Sequence, residues 1–175
     1  MKRLIIVDIS SFIFRAFFAI RPMNTPKGVP VNAVYGVLSM LMKLLQNYNP
    51  THVVLARDIK GGSFRNEMYP EYKANRSAAP DDLIPQFGLI ETWSEKMGMP
   101  HKGIPNYEAD DVIGAFCVQF KKDFDEIFIA SGDKDLMQLI NDSVMMYDAG
   151  KQAELRAEQV NDKFGVMPNK VTQVQ

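Results

Sequence analysis

The chain has 175 residues, 46% of them hydrophobic, and a formal net charge of −1 at pH 7. This length and composition fit one globular domain and exclude an intrinsically disordered chain, which would be poorer in apolar residues. The charge excludes a uniformly basic protein, so any binding of nucleic acid must come from local clusters of cations.

The sequence carries no signal typical of a secreted or membrane protein. Cys117 is the single cysteine, so an internal disulfide cannot form, and we expect this residue to be packed in the core. Asp8 and Arg15 interrupt the apolar run near the N-terminus, and no stretch approaches the ~20 apolar residues of a membrane span. We therefore expect a cytoplasmic protein that does not bind a membrane.

Short apolar runs alternate with segments of helical periodicity along the chain. Ser10 or Ser11, then Asp81 or Asp82, and then Asn106 are expected to begin successive helices. The pattern predicts strands over about 4–7, 52–56, 126–130 and 144–147, and helices over about 10–19, 32–47, 81–97, 106–122, 133–140, 157–164 and 168–175.

Strands that alternate with helices indicate an α/β fold, in which a mainly parallel central sheet is flanked by helices on both faces. In such a sheet, ligands bind beyond the carboxyl ends of the strands. Residues that directly follow the predicted strands are therefore the first candidates for a functional site.

Seven carboxylates are predicted to gather at this edge of the sheet. They follow three of the predicted strands or open the helix expected after Asn106, and they are Asp8, Asp58, Glu108, Asp110, Asp111, Asp133 and Asp135. Two unit charges about 4 Å apart repel by ~4 kcal/mol at an effective dielectric constant of about 20. Several such pairs would rival the ~5–15 kcal/mol net stability of a domain. Either some of these groups are protonated or cations neutralise them.

The ligand chemistry favours Mg²⁺ or Mn²⁺ over zinc, because every candidate ligand is a carboxylate and neither His52 nor His101 belongs to a motif. Two such ions can activate a water and stabilise both oxygens of an in-line phosphoryl displacement. Lys73 and Arg76 can bind the phosphate, and Tyr72 offers a stacking face for an unpaired base. Phosphodiester hydrolysis is the reaction that uses all these parts.

Each feature taken alone also has an ordinary structural explanation. Asp8 and Asp133 can simply cap helices, and Glu108 with its two acidic neighbours can be first-turn residues favoured by the helix dipole. Lys73 and Arg76 can form a solvated basic face. The joint occurrence of seven carboxylates at one edge is what favours a functional site.

Four motifs carry a resemblance to a known family. The clearest is YEADDVIG at 107–114, followed by SGDKDL at 131–136 and SFRNE at 63–67. The fourth is VD at 7–8 with FRA at 14–16. On these motifs the whole chain resembles the 5′-nuclease domain of bacterial DNA polymerase I and the wider flap endonuclease family.

The resemblance implies a Rossmann-like, PIN-type domain with metal-dependent 5′→3′ exonuclease and structure-specific flap endonuclease activity in DNA replication or repair. Its substrate would be DNA with a free 5′ end or a 5′ flap. By the same resemblance the seven carboxylates bind or support Mg²⁺ or Mn²⁺, with two-metal chemistry in the complete protein. A monomer is expected, and a polymerase domain is compatible with the full gene product.

The resemblance also assigns roles to cationic and aromatic residues. Lys73 and Arg76 correspond to basic residues of a helical arch, over about 65–80, beneath which the 5′ end threads. Lys73 would contact the scissile phosphate, and these two are the expected catalytic cations. Arg15 and Arg65 would hold DNA together with them, and Tyr72 would stack on a base near the cut.

Two positions and the C-terminus depart from the family pattern. Arg57 stands where an apolar residue is usual, and we expect it either to pair with a carboxylate and weaken metal binding or to add a phosphate contact. Ile9 stands where a glycine is usual. The family continues into a helix–three-turn–helix that grips duplex DNA and carries two further aspartates. We therefore expect 1–175 to be the catalytic domain alone, without the DNA-gripping subdomain, and weakly active or inactive.

Two other functions stay open on the sequence. An aspartyl phosphotransferase would use Asp8 as its nucleophile, but the common motif requires a second aspartate where this chain has Ser10. A non-catalytic module would recognise branched DNA through the arch and bind flap DNA tightly without cleaving it.

Overall fold

The computed structural model describes residues 1–73 and 78–174. Within them a six-stranded sheet has the spatial order β3-β2-β1-β4-β5-β6. The strands are β1 Arg3–Asp8, β2 His52–Ala56, β3 His101–Lys102, β4 Glu126–Ala130, β5 Val144–Asp148 and β6 Ala153–Leu155. The helices are α1 Ile9–Ala19, α2 Asn32–Tyr48, α3 Phe64–Met68, α4 Ile84–Lys96, α5 Ala109–Gln119 and α6 Ala157–Phe164, with two 3₁₀ helices at Asp135–Leu139 and Pro168–Gln173. The predicted α/β class is confirmed.

β1 lies at the centre of the sheet and is parallel to both neighbours. Val7 is paired with Leu55 of β2 and with Ala130 of β4. Val7 is completely buried, which suits a strand covered on both faces. Because these three strands are parallel and in register, their carboxyl ends reach the same edge of the sheet. Among the described strands, β6 alone is antiparallel to its neighbour.

Each face of the sheet carries a hydrophobic core. Ile5 and Val7 pack with residues of α1, α2 and α4, whereas Leu4 and Ile6 pack with residues of α5 and α6, because successive side chains of a strand point to opposite faces. Cys117 lies in the second core, and burial raises the pKa of its thiol to about 12. None of the described helices is long and apolar enough to cross a membrane.

Close packing of α1 and α2 depends on Gly36. A Cβ at this position would lie 2.6 Å from Ile20 Cδ1 and 2.7 Å from Ala16 Cβ. The buried Gln86 of α4 accepts a hydrogen bond from the Ala33 N–H at 2.8 Å, so α4 satisfies a backbone group that the first turn of α2 leaves unpaired. These contacts hold α1, α2 and α4 together on one face of the sheet.

Four helices begin at other residues than the sequence pattern predicted. The helix expected over 133–140 is a 3₁₀ helix that begins only at Asp135, with Lys134 as its N-cap. The N-cap of α1 is Asp8, whose Oδ1 accepts from the Ser11 N–H at 3.2 Å, so the expected serine cap is wrong. The N-cap of α5 is Glu108, because Asn106 has a left-handed backbone (φ 69°) in the preceding turn. Residues 81–83 form a turn, and α4 begins only at Ile84.

Candidate active site

The carboxyl edge of the sheet carries an open cleft of about 480 Å³. Its acidic residues come from the ends of β1 and β2, from the first turn of α5 and from the loop after β4, and they are Asp8, Asp58, Glu108, Asp110 and Asp133. The other two predicted carboxylates, Asp111 and Asp135, line a second cleft of about 420 Å³, which shares Glu108 and Asp110 with the first. The structure thus distributes the seven carboxylates over two adjoining clefts.

Asp8 combines a capping role with a place in the first cleft. Besides the Ser11 N–H, the Ser131 hydroxyl donates to Asp8 Oδ2 at 2.8 Å, and both Asp8 and Ser131 are buried. Burial raises the pKa of Asp8, the two hydrogen bonds oppose that shift, and the charges of Asp58 and Asp133 add to it. The ionised form of Asp8 is therefore incompletely compensated in this structure.

The ionised form of Asp110 is also incompletely compensated, and its pKa is raised more than that of Asp8. Burial raises the pKa of this carboxyl to about 6, and the negative charges of Asp133 and Asp8 act in the same direction. Asp58 faces the same cleft and accepts a hydrogen bond from the Ala109 N–H at 2.9 Å. That bond joins the end of β2 to the first turn of α5 and so fixes Asp110 beside Asp58.

Arg65 neutralises the charge of Asp111, one of the carboxylates of the second cleft. Its Nη1 and Nη2 donate to Asp111 at 2.6 and 2.7 Å, in the two-point geometry that suits guanidinium and carboxylate. Arg65 holds the pKa of Asp111 below its ordinary value. Asp111 Oδ2 also accepts from the Glu108 N–H at 3.0 Å, so the expected first-turn role of Asp111 applies as well.

Lys73 and Tyr72 both contact Glu108, the N-cap residue of α5. Lys73 Nζ lies 2.9 and 3.0 Å from the two carboxylate oxygens of Glu108, and the Tyr72 hydroxyl donates to Glu108 Oε2 at 3.1 Å. The Lys73 ammonium also lies 4.9 Å from the centroid of the Tyr72 ring. A predicted phosphate-binding lysine thus occupies the edge of the carboxylate cleft.

The loop after β4 is held by Ser131, the first residue of the SGDKDL motif, for which the sequence pattern predicted no role. Ser131 Oγ accepts from the Asp133 N–H at 3.1 Å while it donates to Asp8, so one hydroxyl joins the ends of β1 and β4. Asp133 Oδ1 in turn accepts from the Asp135 N–H at 2.9 Å. The signal available in the sequence was a polar residue directly after a buried apolar strand.

The cleft fits a divalent cation by its ligand chemistry. Its carboxylates are hard oxygen ligands, and the raised pKa values of Asp8 and Asp110 show that added positive charge would stabilise the ionised site. In the conformation described for 1–73 and 78–174, no three His, Cys, Asp or Glu side chains converge closely enough to hold a metal ion. Asp8, Asp58, Asp110 and Asp133 line this cleft together and are the candidates for holding one.

The remaining predicted residues lie in different places. Arg15 is exposed on α1, where its guanidinium lies against Gly150. Arg76 lies outside the described residues. Arg57 pairs with a carboxylate, as one of the two expectations had it, but the partner is Glu91 of α4 and not a member of the predicted metal set.

Known proteins resemble this chain in sequence along nearly its whole length. DNA polymerase I of Rhizobium leguminosarum is 41% identical and matches 98% of this chain, and the 5′-3′ exonuclease of Aquifex aeolicus is 39% identical over the same share. The chain spans 18% of the first relative and 59% of the second.

Solved structures share the fold. The T5 D15 protein co-crystallised with metal ions is 24% identical, with a TM-score of 0.73 over 94% of this chain and 62% of its own. A complex of the T5 D15 flap endonuclease with DNA and metal ions has a TM-score of 0.72 at 22% identity, over 97% of this chain and 64% of its own. At this level of identity the likeness confirms the fold.

The motifs around the carboxylates agree with these similarities. The model of the family described as "5′-3′ exonuclease, N-terminal resolvase-like domain" matches residues 3–165, a range that includes all seven carboxylates and the strands that position them. The predicted resemblance is confirmed, and the chain belongs to this 5′-3′ exonuclease family.

Proposed function

We propose that this chain catalyses divalent-metal-dependent phosphodiester hydrolysis of DNA, as a 5′→3′ exonuclease and flap endonuclease. The observation that carries the proposal is one cleft in which Asp8, Asp58, Asp110 and Asp133 meet Lys73 at the carboxyl edge of a parallel sheet. Family membership and the DNA-bound and metal-bound T5 relatives support the same activity. Mg²⁺ or Mn²⁺, acting as a pair in the complete protein, suits the carboxylate ligands.

In this proposal the acidic residues of the cleft bind the cation, and the basic residues bind the substrate phosphate. When bound, a divalent cation supplies Lewis-acid polarisation of the phosphate oxygens. Asp8, Asp110 and their neighbours would hold it, with Ser131 orienting Asp8. Lys73 and Arg65 now neutralise Glu108 and Asp111, and we propose that they move to the scissile phosphodiester when cation and substrate arrive.

The substrate contacts extend this assignment. Lys73 and Arg76 are proposed as catalytic cations, and Arg15, Arg65 and Tyr72 as further DNA contacts to a strand with a free 5′ end or flap. Activity in DNA replication or repair, a monomeric state and a cytoplasmic location stay predictions, and the DNA polymerase I relatives support a polymerase partner domain.

The geometry of Asp8 disfavours the aspartyl phosphotransferase. Both Asp8 oxygens accept hydrogen bonds, the carboxyl is buried, and its pKa is raised, so its nucleophilic form is shielded. Within the described residues no observation favours a non-catalytic DNA-binding module over the enzyme.

The decisive experiment is cleavage of a 5′-labelled flap DNA with Mg²⁺, with Mn²⁺ and with a chelator. We expect weak, cation-dependent release of short 5′ products, since the chain spans only part of the length of its relatives. We also expect a loss of at least about 100-fold in Asp133→Ala, because removing a metal ligand costs more than the 10–100-fold typical of its supporting contacts. Asp133 is exposed, so this variant should keep its fold.

Asp142→Ala is the matched control, because Asp142 is an exposed acid in the loop before β5 and lines neither carboxylate cleft. Cleavage that persists in the chelator, or that is equal in Asp133→Ala and the control, would contradict the proposed function. Calorimetric titration of Mn²⁺ into wild type and Asp133→Ala tests the metal site separately from turnover.

A further inference from the structure

Two lysines, Lys134 and Lys151, lie in the segments that follow β4 and β5, at the same edge of the sheet as the carboxylate clefts. β4 and β5 are parallel, with Ala130 opposite Tyr147. Lys134 follows the first of these paired residues by four positions and Lys151 follows the second by four, and both lysines are exposed. Parallel register therefore brings Lys134 and Lys151 to neighbouring places beyond the strand ends.

Cations from two helices reach the turn between β5 and β6. The guanidinium of Arg15 in α1 lies so close to Gly150 that an added Cβ would meet Arg15 Nη2 at 1.9 Å. Lys43 of α2 donates a hydrogen bond to Gln152 Oε1. This turn is thus the meeting point of positive charges contributed by α1 and α2.

Lys163 of α6 belongs to the same group. Desolvation lowers the pKa of Lys163, and the positive charges of Lys151 and Lys134 lower it further. Asp148 acts in the opposite direction, but its Oδ1 also accepts from the N–H groups of Gly150 and Lys151 at 2.8 and 3.2 Å and so holds the turn together.

These residues form what we call the cationic patch, namely Arg15, Lys43, Lys134, Lys151 and Lys163. Within 1–73 and 78–174, none of the five makes an ion pair with a carboxylate. Gathered positive charges that form no ion pair repel one another, although Asp148 opposes this repulsion at Lys163, and a polyanion relieves it. The overall charge of −1 makes this local concentration a specific feature of one surface.

We propose that the cationic patch binds the phosphate backbone of double-stranded DNA beside the cleaved strand, an inference that rests on the proposed function. The patch is continuous with the clefts, since Lys134 stands between Asp133 and Asp135. Ser11, one helical turn before Arg15, accepts a hydrogen bond from the Gly132 N–H at 3.2 Å. Substrate extending from the clefts would therefore pass over the patch.

The chemistry of the turn favours a duplex over a single strand. Single-stranded binding sites stack bases on aromatic side chains. Here Tyr147 is buried, and Phe164 is half-buried with the Lys163 ammonium 5.0 Å from its ring centroid. Lysine and arginine without an open stacking face are suited to phosphates, which a duplex presents at one charge per about 1.7 Å.

The test compares Lys151→Gln/Lys163→Gln with wild type in fluorescence anisotropy, using a blunt duplex and a single strand of the same sequence in EDTA. Loss of two phosphate contacts should reduce the slope of log affinity against log salt by about 1.8 for the duplex. The fall in duplex affinity between about 50 and 200 mM salt should then shrink about tenfold. Binding of the single strand should change little.

The control variant is Lys121→Gln/Lys122→Gln, which makes the same charge change after the end of α5, at the opposite edge of the sheet. Equal losses in the two variants, an unchanged duplex slope, or an equal loss for the single strand would overturn the proposal. If wild type cleaves flap DNA but the patch variant has the same salt dependence of duplex affinity as wild type, the proposed function stands and the patch proposal is wrong. A reduced slope in a chain that does not cleave would retain the patch without that function.

Discussion

Neutralising Asp110 should raise the free energy of unfolding when divalent cations are absent. Burial and the charges of Asp133 and Asp8 raise the pKa of Asp110 from 3.8 to about 6. A shift of this size corresponds to about 3 kcal/mol. Because the side chain is only partly buried, solvent screening reduces the usable part to about 1–2 kcal/mol. Asp110→Asn keeps the shape of the side chain and removes this cost.

The gain should depend on pH with a definite sign. Near pH 4, Asp110 is protonated in the folded chain and about half ionised in the unfolded chain, so wild type carries only a small penalty. Stability from this group is lost as the pH rises through about 6, where the folded carboxyl must ionise. Asp110→Asn should therefore match wild type near pH 4 and exceed it at pH 8.

Urea unfolding at both pH values in EDTA measures the difference, and thermal unfolding at pH 8 should show a rise of about 3–6 °C. Added Ca²⁺ should then stabilise wild type more than Asp110→Asn, because the variant has lost a cation ligand. Asp142→Asn, in an exposed loop, is the matched control. An Asp110→Asn variant that is no more stable than wild type at pH 8, or equally more stable at pH 4, would refute the reasoning.

Three further substitutions test particular contacts. Arg65→Gln should cost about 1–2 kcal/mol at pH 7, because Asp111 loses two charge-assisted hydrogen bonds. Since Arg65 lowers the pKa of Asp111, urea unfolding should show this cost fading as the pH falls below 3.8. Ser131→Ala should cost about 1–2 kcal/mol and raise the pKa of Asp8 further, which carboxyl NMR titration would detect, and an unchanged pKa would count against the hydrogen bond. Gly36→Ala should lower the unfolding free energy by about 1–3 kcal/mol in urea, because its Cβ would overlap side chains of α1; a neutral result would mean that α1 and α2 can separate.

Much of the fold follows from local patterns in the chain. The apolar runs of β1, β2, β4 and β5 were predicted almost to the residue, because buried parallel strands read as continuous hydrophobic segments. β3 and β6 were missed, since two and three residues are too short to show a period. At α1 the sequence offered both Asp8 and two serines as caps, and it could not decide between them because they compete for the same backbone groups.

The pairing of charges could not be read from the sequence. Arg57 pairs with Glu91, Arg65 pairs with Asp111, and the Ser131 hydroxyl donates a hydrogen bond to Asp8. These partners lie far apart in the chain, so only the packing of helices on the sheet brings them within hydrogen-bond distance. The cationic patch has the same origin, because its members come from three helices and two loops that are separate in the sequence.

The carboxylates show most clearly which features follow from the sequence and which follow only from the folded structure. The sequence by itself determined that seven acids follow strand ends or open α5, because parallel strands direct their carboxyl ends to one edge. Only the tertiary structure decided that Asp111 and Asp135 face a second cleft, that Arg65 pairs with Asp111 and Lys73 with Glu108, and that Asp8 and Asp110 are left short of positive charge. The reason is that burial and distance between charges, which set each pKa, exist only once the chain has folded.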